Sequence, residues 1–295
     1  MIGSKRSPPP PKNPRQNQAK PNEQKFFGSF FQKRTASLRA ATYALYFYSL
    51  TLAFGLAGLP MRALAPRAAL PPLALKLARC WARAVLAGLR PICGITVEIT
   101  GRENLPADQP VLLASQHQSA FDTLIWMVEL ERPSYVMKQE LTRIPLFGPL
   151  LEPAGMIGVD RKGGAGALRK LIAATLRARD AGRTVIIFPE GTRTPPGVVV
   201  PLQPGIAAIA GRLAVPVLPV ATDSGQRWGR SVLARRAGPI HIAIGPPIAA
   251  GTDRDALLKA LRDYWSLQVE RGFRPVDNSV EEPSATGLPG AGMHA

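Results

Sequence analysis

The sequence predicts an α/β protein: a mixed, largely parallel sheet flanked by helices, with an N-terminal membrane-associated helical segment. Three observations lead there. Short apolar runs of strand length, such as residues 111–114, 182–188 and 215–221, alternate with longer segments of helical spacing. Two of those runs end in polar turns, one holding His117 and Asp122, the other Glu190 to Arg193. Open α/β sheets gather their ligands at such carboxyl ends. Finally, no charged residue stands between Arg39 and Arg62.

Residues 1–34 are rich in Pro, Lys, Arg, Gln and Asn, with almost no aliphatic side chains before Phe26. They bury too little apolar area to offset ordering entropy, so a disordered basic tail is expected. Within it, the polyproline run 8–11 suits a solvated tail or an SH3-type ligand. Phe26, Phe27, Phe30 and Phe31, beside Lys25, Lys33 and Arg34, suit a bilayer interface. The segment does not read as a secretory signal.

Residues 35–90 are expected to form membrane-associated helices. The apolar run 40–61 is long enough to span a hydrocarbon core. Both flanks are basic, so the positive-inside rule sets no orientation. A spanning helix is the reading, and a re-entrant or surface helix with both ends cytoplasmic is the alternative. Over 70–90, Lys76, Arg79, Arg83 and Arg90 share one helical face, and Leu73, Leu77, Trp81, Val85 and Leu89 mostly lie away from it. This basic amphipathic helix suits an anionic lipid surface or docking on the main domain.

The main domain is expected over 91–272. ITVEIT at 95–100 alternates as a half-exposed strand. Residues 111–114 form a buried strand and 119–130 a helix, so His117 falls in the turn between them. Within one regular helix a residue and the fifth after it do not share a face. His117 and Asp122 meet only if the histidine precedes the helix and the aspartate lies in its first turn. A carboxylate there fixes the imidazole tautomer and makes it a better general base. Ser119 and Asp122 also form a capping-type S-x-x-D pair, so a structural role is open at this point. Backbone amides at this helix start are candidates for stabilising an oxyanion. Further strands are expected at 134–137, 156–159, 182–188, 215–221 and 240–248. Helices are expected at 167–181, 206–213 and 253–272, and a disordered tail at 273–295.

At 295 residues and 46% hydrophobic, the chain can bury one large core plus appendages. Its net charge of +17 calls for an anionic partner or surface. Nucleic acid is not expected: no zinc-finger spacing or RNP-like motif occurs, and 6% aromatics is thin for base stacking. Anionic membrane lipid is the expected surface. The two cysteines, Cys80 and Cys93, read as packing residues rather than a disulfide framework, and the three scattered histidines give no zinc pattern. His241 reads as structural. No metal and no cofactor is expected.

His117-Gln118-Ser119-Ala120-Phe121-Asp122 resembles the H-x4-D signature of the glycerolipid acyltransferases, and FPEGTR at 188–193 resembles that family's second signature. Lys138, Glu140, Leu141, Ile144, Pro145, Phe147 and Gly148, the block ending Asp160-Arg161, and VPVLPVA at 215–221 are similar to further family blocks. The resemblance is strongest to the bacterial 1-acyl-sn-glycerol-3-phosphate acyltransferases and covers about residues 91–272. It implies an acyltransferase domain with His117 as general base and Asp122 orienting it. It also implies Arg161, Glu190, Gly191, Thr192 and Arg193 at the acceptor's glycerol phosphate, with Glu190 orienting Arg193 or a substrate hydroxyl. The segment after Pro145 would wall an acyl-chain groove. The donor would be acyl-CoA or acyl-carrier protein, the acceptor lysophosphatidic acid, and the place the bacterial inner membrane with the site facing the cytoplasm. Another lysolipid acceptor, such as lyso-ornithine lipid, is the alternative; a non-catalytic basic membrane- or nucleic-acid-binding protein is the alternative of another class. The sequence departs from many relatives at Gln203, where they carry Lys, which puts one donor-site cation in doubt. It departs again at Gln116, where an effect on acceptor preference is expected.

Overall fold

A computed structural model describes residues 21–106, 109–160, 163–231 and 233–273, with side chains from Thr35 on, Ala36 excepted. The polyproline run, Arg161 and residues 274–295 lie outside them.

Helix α1 (Pro21–Leu64) and helix α2 (Leu70–Ala87) form a hairpin joined by a short turn. The start of α1 falls inside the stretch 1–34 read as disordered. Helix propagation from an established apolar helix is far less costly than nucleation, which composition alone does not register. The hairpin is held by the Tyr43 and Tyr46 hydroxyls donating to the carbonyls of Val85 (3.0 Å) and Ala84 (2.6 Å), and by the Trp81 indole donating to the Thr51 hydroxyl (3.2 Å). Gly88 permits the close approach: a Cβ there would stand 2.4 Å from the Tyr46 ring.

The sheet contains β1 (Ile95–Thr100), β2 (Leu112–Ser115), β3 (Pro133–Lys138), β4 (Ile157–Val159), β5 (Thr184–Ile187), β6 (Val217–Thr222) and β7 (Gly238–Ile244). Its order is β1-β7-β6-β2-β5-β3-β4, with every pairing parallel except β6 with β7. The mixed, largely parallel sheet expected from the sequence is therefore present. The crossovers contain α3 (Asp122–Glu129), α4 (Gly148–Leu151), α5 (Gly164–Asp180) and α6 (Gly205–Leu213); the one-turn α7 (Ser224–Arg227) lies in the connection between the antiparallel neighbours β6 and β7, and α8 (Arg254–Glu270) closes the fold. Asp253 caps α8 by accepting from the amides of Asp255 and Ala256, both at 3.0 Å.

The central strands read as unbroken apolar runs because both faces are covered. Leu113, Ile186 and Val220 point into a core shared with α1, α2 and α3. Their alternate neighbours Leu112, Val185, Ile187 and Val217 point into a second core with α5, α6 and α8. Phe273, assigned from composition to the tail, is buried and stacks on His241, 6.0 Å between centroids.

One face of α1 is docked on this body. Ala40 and Tyr43 are fully buried, and Gly55 and Gly58 lie against Leu146 and Leu150. The opposite stripe, Leu38, Leu45, Leu52, Leu56 and Leu59, is exposed.

Candidate active site

Strands β2 and β5 are parallel neighbours, with Ala114 opposite Ile187. The loops that leave their carboxyl ends therefore run side by side and bring His117 against Glu190. The His117 amide donates to Glu190 Oε2 (2.6 Å), the Thr194 amide returns to the His117 carbonyl (2.8 Å), and the Thr194 hydroxyl donates to Glu190 Oε1 (2.9 Å). The Phe188 ring stacks on the imidazole, 4.3 Å between centroids and 23° between planes.

Helix α3 starts three positions later than its apolar spacing predicts, at Asp122 rather than Ser119, because residues 118–121 form the turn that turns the histidine back on the helix. Asp122 Oδ2 lies 3.2 Å from His117 Nδ1 and accepts the amides of Gln118 (2.7 Å) and Ser119 (2.8 Å). The two readings of Asp122 are thus one arrangement: the carboxylate closes the turn and faces the imidazole with the same oxygen. That turn leaves Nε2 as the ring nitrogen available to a substrate. It also consumes the amides of Gln118 and Ser119, and Glu190 consumes that of His117, so none of these three serves an oxyanion as expected. Ser119 is fully buried, its hydroxyl donating to Ser224 Oγ (3.0 Å).

A cavity of about 640 Å³ opens in front of His117. Its inner wall is apolar, built by Phe54 of α1, Leu77 and Trp81 of α2, Met127 of α3, Phe147 and Leu150. The segment after Pro145 contributes to this wall, as expected. Its mouth contains Lys138, Gly191, Thr192, Arg193 and Arg230, and among the described residues no carboxylate lines it. Among the described residues, no Asp or Glu stands within ion-pair distance of those three cations. An apolar barrel, an imidazole and a cationic rim in sequence can hold an acyl chain, activate a hydroxyl and bind an anion.

The family model for acyltransferases matches residues 96–223. The 1-acyl-sn-glycerol-3-phosphate acyltransferase of Pseudomonas aeruginosa is 33% identical over 206 residues, covering 69% of this chain and 80% of that protein. The chain belongs to the 1-acyl-sn-glycerol-3-phosphate acyltransferase family. The alpha form of that enzyme from Homo sapiens is 32% identical over 170 residues, 56% of this chain and 59% of the human protein. The crystal structure of the Thermotoga maritima 1-acyl-sn-glycerophosphate acyltransferase shares the fold, with a TM-score of 0.65 and 24% identity, over 80% of this chain and 97% of that one.

Within this acyltransferase the sequence expectations divide. His117, Asp122, Gly191, Thr192 and Arg193 come together at one edge of the sheet. Gly191 holds φ +74°, a left-handed conformation, with Gln203 packed 3.2 Å from where a Cβ would stand. Glu190 does not orient Arg193: its carboxylate is buried between the two signature loops. Burial pushes it up to about 7, against the opposing pull of the His117 amide and Thr194 hydroxyl, with Asp122 adding to the rise. Gln116 is buried, and its side chain accepts the Thr222 amide (3.1 Å), so it ties the end of β2 to β6 and is not among the residues that line the cavity. Thr194 has a place at the site that sequence reading did not assign, because it depends on a contact from a distant segment. Arg230, read from the sequence as part of a rim with Ser224, Gly225 and Trp228, lines the cavity.

Proposed function

We propose that this protein acylates the 2-hydroxyl of 1-acyl-glycerol-3-phosphate from acyl-CoA or acyl-carrier protein, giving phosphatidic acid. The single observation that carries the reading is the position of His117, between the apolar cavity and a mouth of cations that have no carboxylate partner among the described residues. His117 Nε2 takes the hydroxyl proton as the oxygen attacks the thioester carbonyl; Asp122 stabilises the imidazolium. The new carbon–oxygen bond forms, the carbon–sulfur bond breaks, and the imidazolium returns its proton to the departing thiolate. No acyl-enzyme is needed, in keeping with the burial of Ser119. Arg193 offers a guanidinium fork to the acceptor phosphate, and Gly191 lets the backbone come close. Arg161 belongs with this set by family resemblance.

The reading includes membrane attachment through residues 35–90, with 91–272 as the acyltransferase domain. One face of α1 is docked on that domain from Ala40 to Gly58 and the other exposes a leucine stripe. A helix so docked does not cross the bilayer alone without carrying the domain with it. We therefore favour an α1–α2 hairpin dipped into one leaflet over a spanning helix. Lys76 and Arg83 on α2, and Arg90 in the turn that follows it, are exposed, where anionic headgroups are the fitting partners. Both ends then face the compartment of the thioester donors, the cytoplasmic side of the inner membrane.

The test is a reconstituted assay with thioester donor and three acceptors: 1-acylglycerol-3-phosphate, lyso-ornithine lipid and lysophosphatidylcholine. The reading predicts turnover of the phosphate monoester; acylation of either other lipid in its place overturns it.

A further inference from the structure

The geometry points to Arg230 as a second guanidinium for the acceptor phosphate, beside Arg193; this rests on the function proposed above. Arg230 stands in the loop between α7 and β7, far along the chain from both signatures, yet it lines the same cavity mouth as His117, Gly191, Thr192 and Arg193. Its guanidinium donates to the Arg193 backbone carbonyl. That contact uses part of a five-donor fork and leaves the rest for the mouth. Two arginines brought together with no carboxylate at ion-pair distance among the described residues form a site that gains most from a dianion.

The loop is not a loose surface turn. The Gly229 amide donates to the Ala234 carbonyl (2.8 Å), and Trp228 and Arg235 form a β-bridge across it. Trp228 is buried edge-on against Tyr43, 5.5 Å between centroids at 86°, and Phe47, 6.5 Å at 88°. The Arg235 guanidinium covers the Trp228 ring at 4.2 Å and the Tyr43 ring at 5.5 Å. Arg230 is therefore presented on a hairpin fastened to helix α1, so the membrane helix positions one half of the headgroup clamp.

The experiment is steady-state kinetics of wild type, Arg230→Ala and Arg230→Lys, with separate KM values for 1-acylglycerol-3-phosphate and for the thioester donor. Loss of a charge-assisted hydrogen bond predicts a roughly 10- to 100-fold rise in acceptor KM for Arg230→Ala. The kcat and donor KM stay unchanged. Lysine, a point charge without the fork, restores part of the affinity. Arg230 is exposed, so the thermal melt of both variants should match wild type. An unchanged acceptor KM in Arg230→Ala, or an equal rise in donor KM, overturns the assignment. Wild-type protein that acylates a phosphate-free lysolipid and not 1-acylglycerol-3-phosphate refutes the functional reading itself, before any Arg230 variant is compared.

Discussion

Replacing Asp122 with Asn separates the two duties that one oxygen performs. Asp122 is 2% exposed, and its Oδ2 serves the amides of Gln118 and Ser119 as well as facing His117 Nδ1. An Asn carbonyl can accept both amides, but as neutral hydrogen bonds. Exchanging two charge-assisted bonds for two neutral ones costs about 2 kcal/mol. For a domain of this size that lowers the melting temperature by roughly 4–8 °C, leaving a folded protein. The catalytic loss is larger. The carbonyl oxygen that keeps the two amides still faces Nδ1 but carries no charge, so it no longer stabilises the imidazolium formed when Nε2 takes the proton. The expected fall in kcat is about 10³- to 10⁴-fold, with acceptor and donor KM little changed. Stopped assays with thioester donor and labelled acceptor, beside a thermal melt in detergent, read both quantities. A variant that melts as expected yet keeps turnover within about tenfold of wild type refutes the dyad, since uncharged positioning would then suffice.

Glu190→Gln tests the strut between the loops: burial raises the Glu190 carboxyl from 4.5 to about 7, so the folded chain holds a proton that the unfolded chain has lost between those values. Its stabilising contribution is complete below the lower value and is lost as pH rises through the upper one. That contribution, roughly 3 kcal/mol, should vanish in Glu190→Gln, which chemical denaturation across the pH range would show as a flatter profile. Gly191→Ala must hold an alanine at φ +74° beside Gln203. A loss of about 1–2 kcal/mol and a raised acceptor KM are expected, measured by melt and kinetics. Leu45, Leu52 and Leu59 repeat along the exposed face of α1. Changing all three to Lys should lower vesicle flotation while leaving activity on detergent-dispersed substrate intact; unchanged flotation would refute the lipid-facing stripe.

The local parts of this fold were legible in the sequence. Asp253 announced its helix start, and the twice-covered strands β2, β5 and β6 appeared as apolar runs bounded by turns. The spacing of His117 and Asp122 required a strand–turn–helix, and that is the structure found. What periodicity cannot encode is which strand lies beside which. The order that sets β2 next to β5 decides that Glu190 meets the His117 amide across 73 residues of chain. A carboxylate in FPEGTR therefore looked like a ligand-facing group when it is an internal strut. The partner of Gln116 was hidden for the same reason, because Thr222 lies on β6. Arg230 was legible only as part of a rim with Trp228; what fixes its place is Trp228 packing against Tyr43 of α1, a contact from a distant segment. The early start of α1 was hidden because a polar stretch rich in Lys and Gln continues a helix more readily than it starts one.

The most direct test of the account is acyl transfer by membranes containing the wild-type protein or His117→Ala, supplied with labelled 1-acylglycerol-3-phosphate and a thioester donor. Labelled phosphatidic acid should form with wild type alone, while the variant remains folded and membrane-bound. A wild-type rate from His117→Ala would contradict the proposed base and the mechanism built on it.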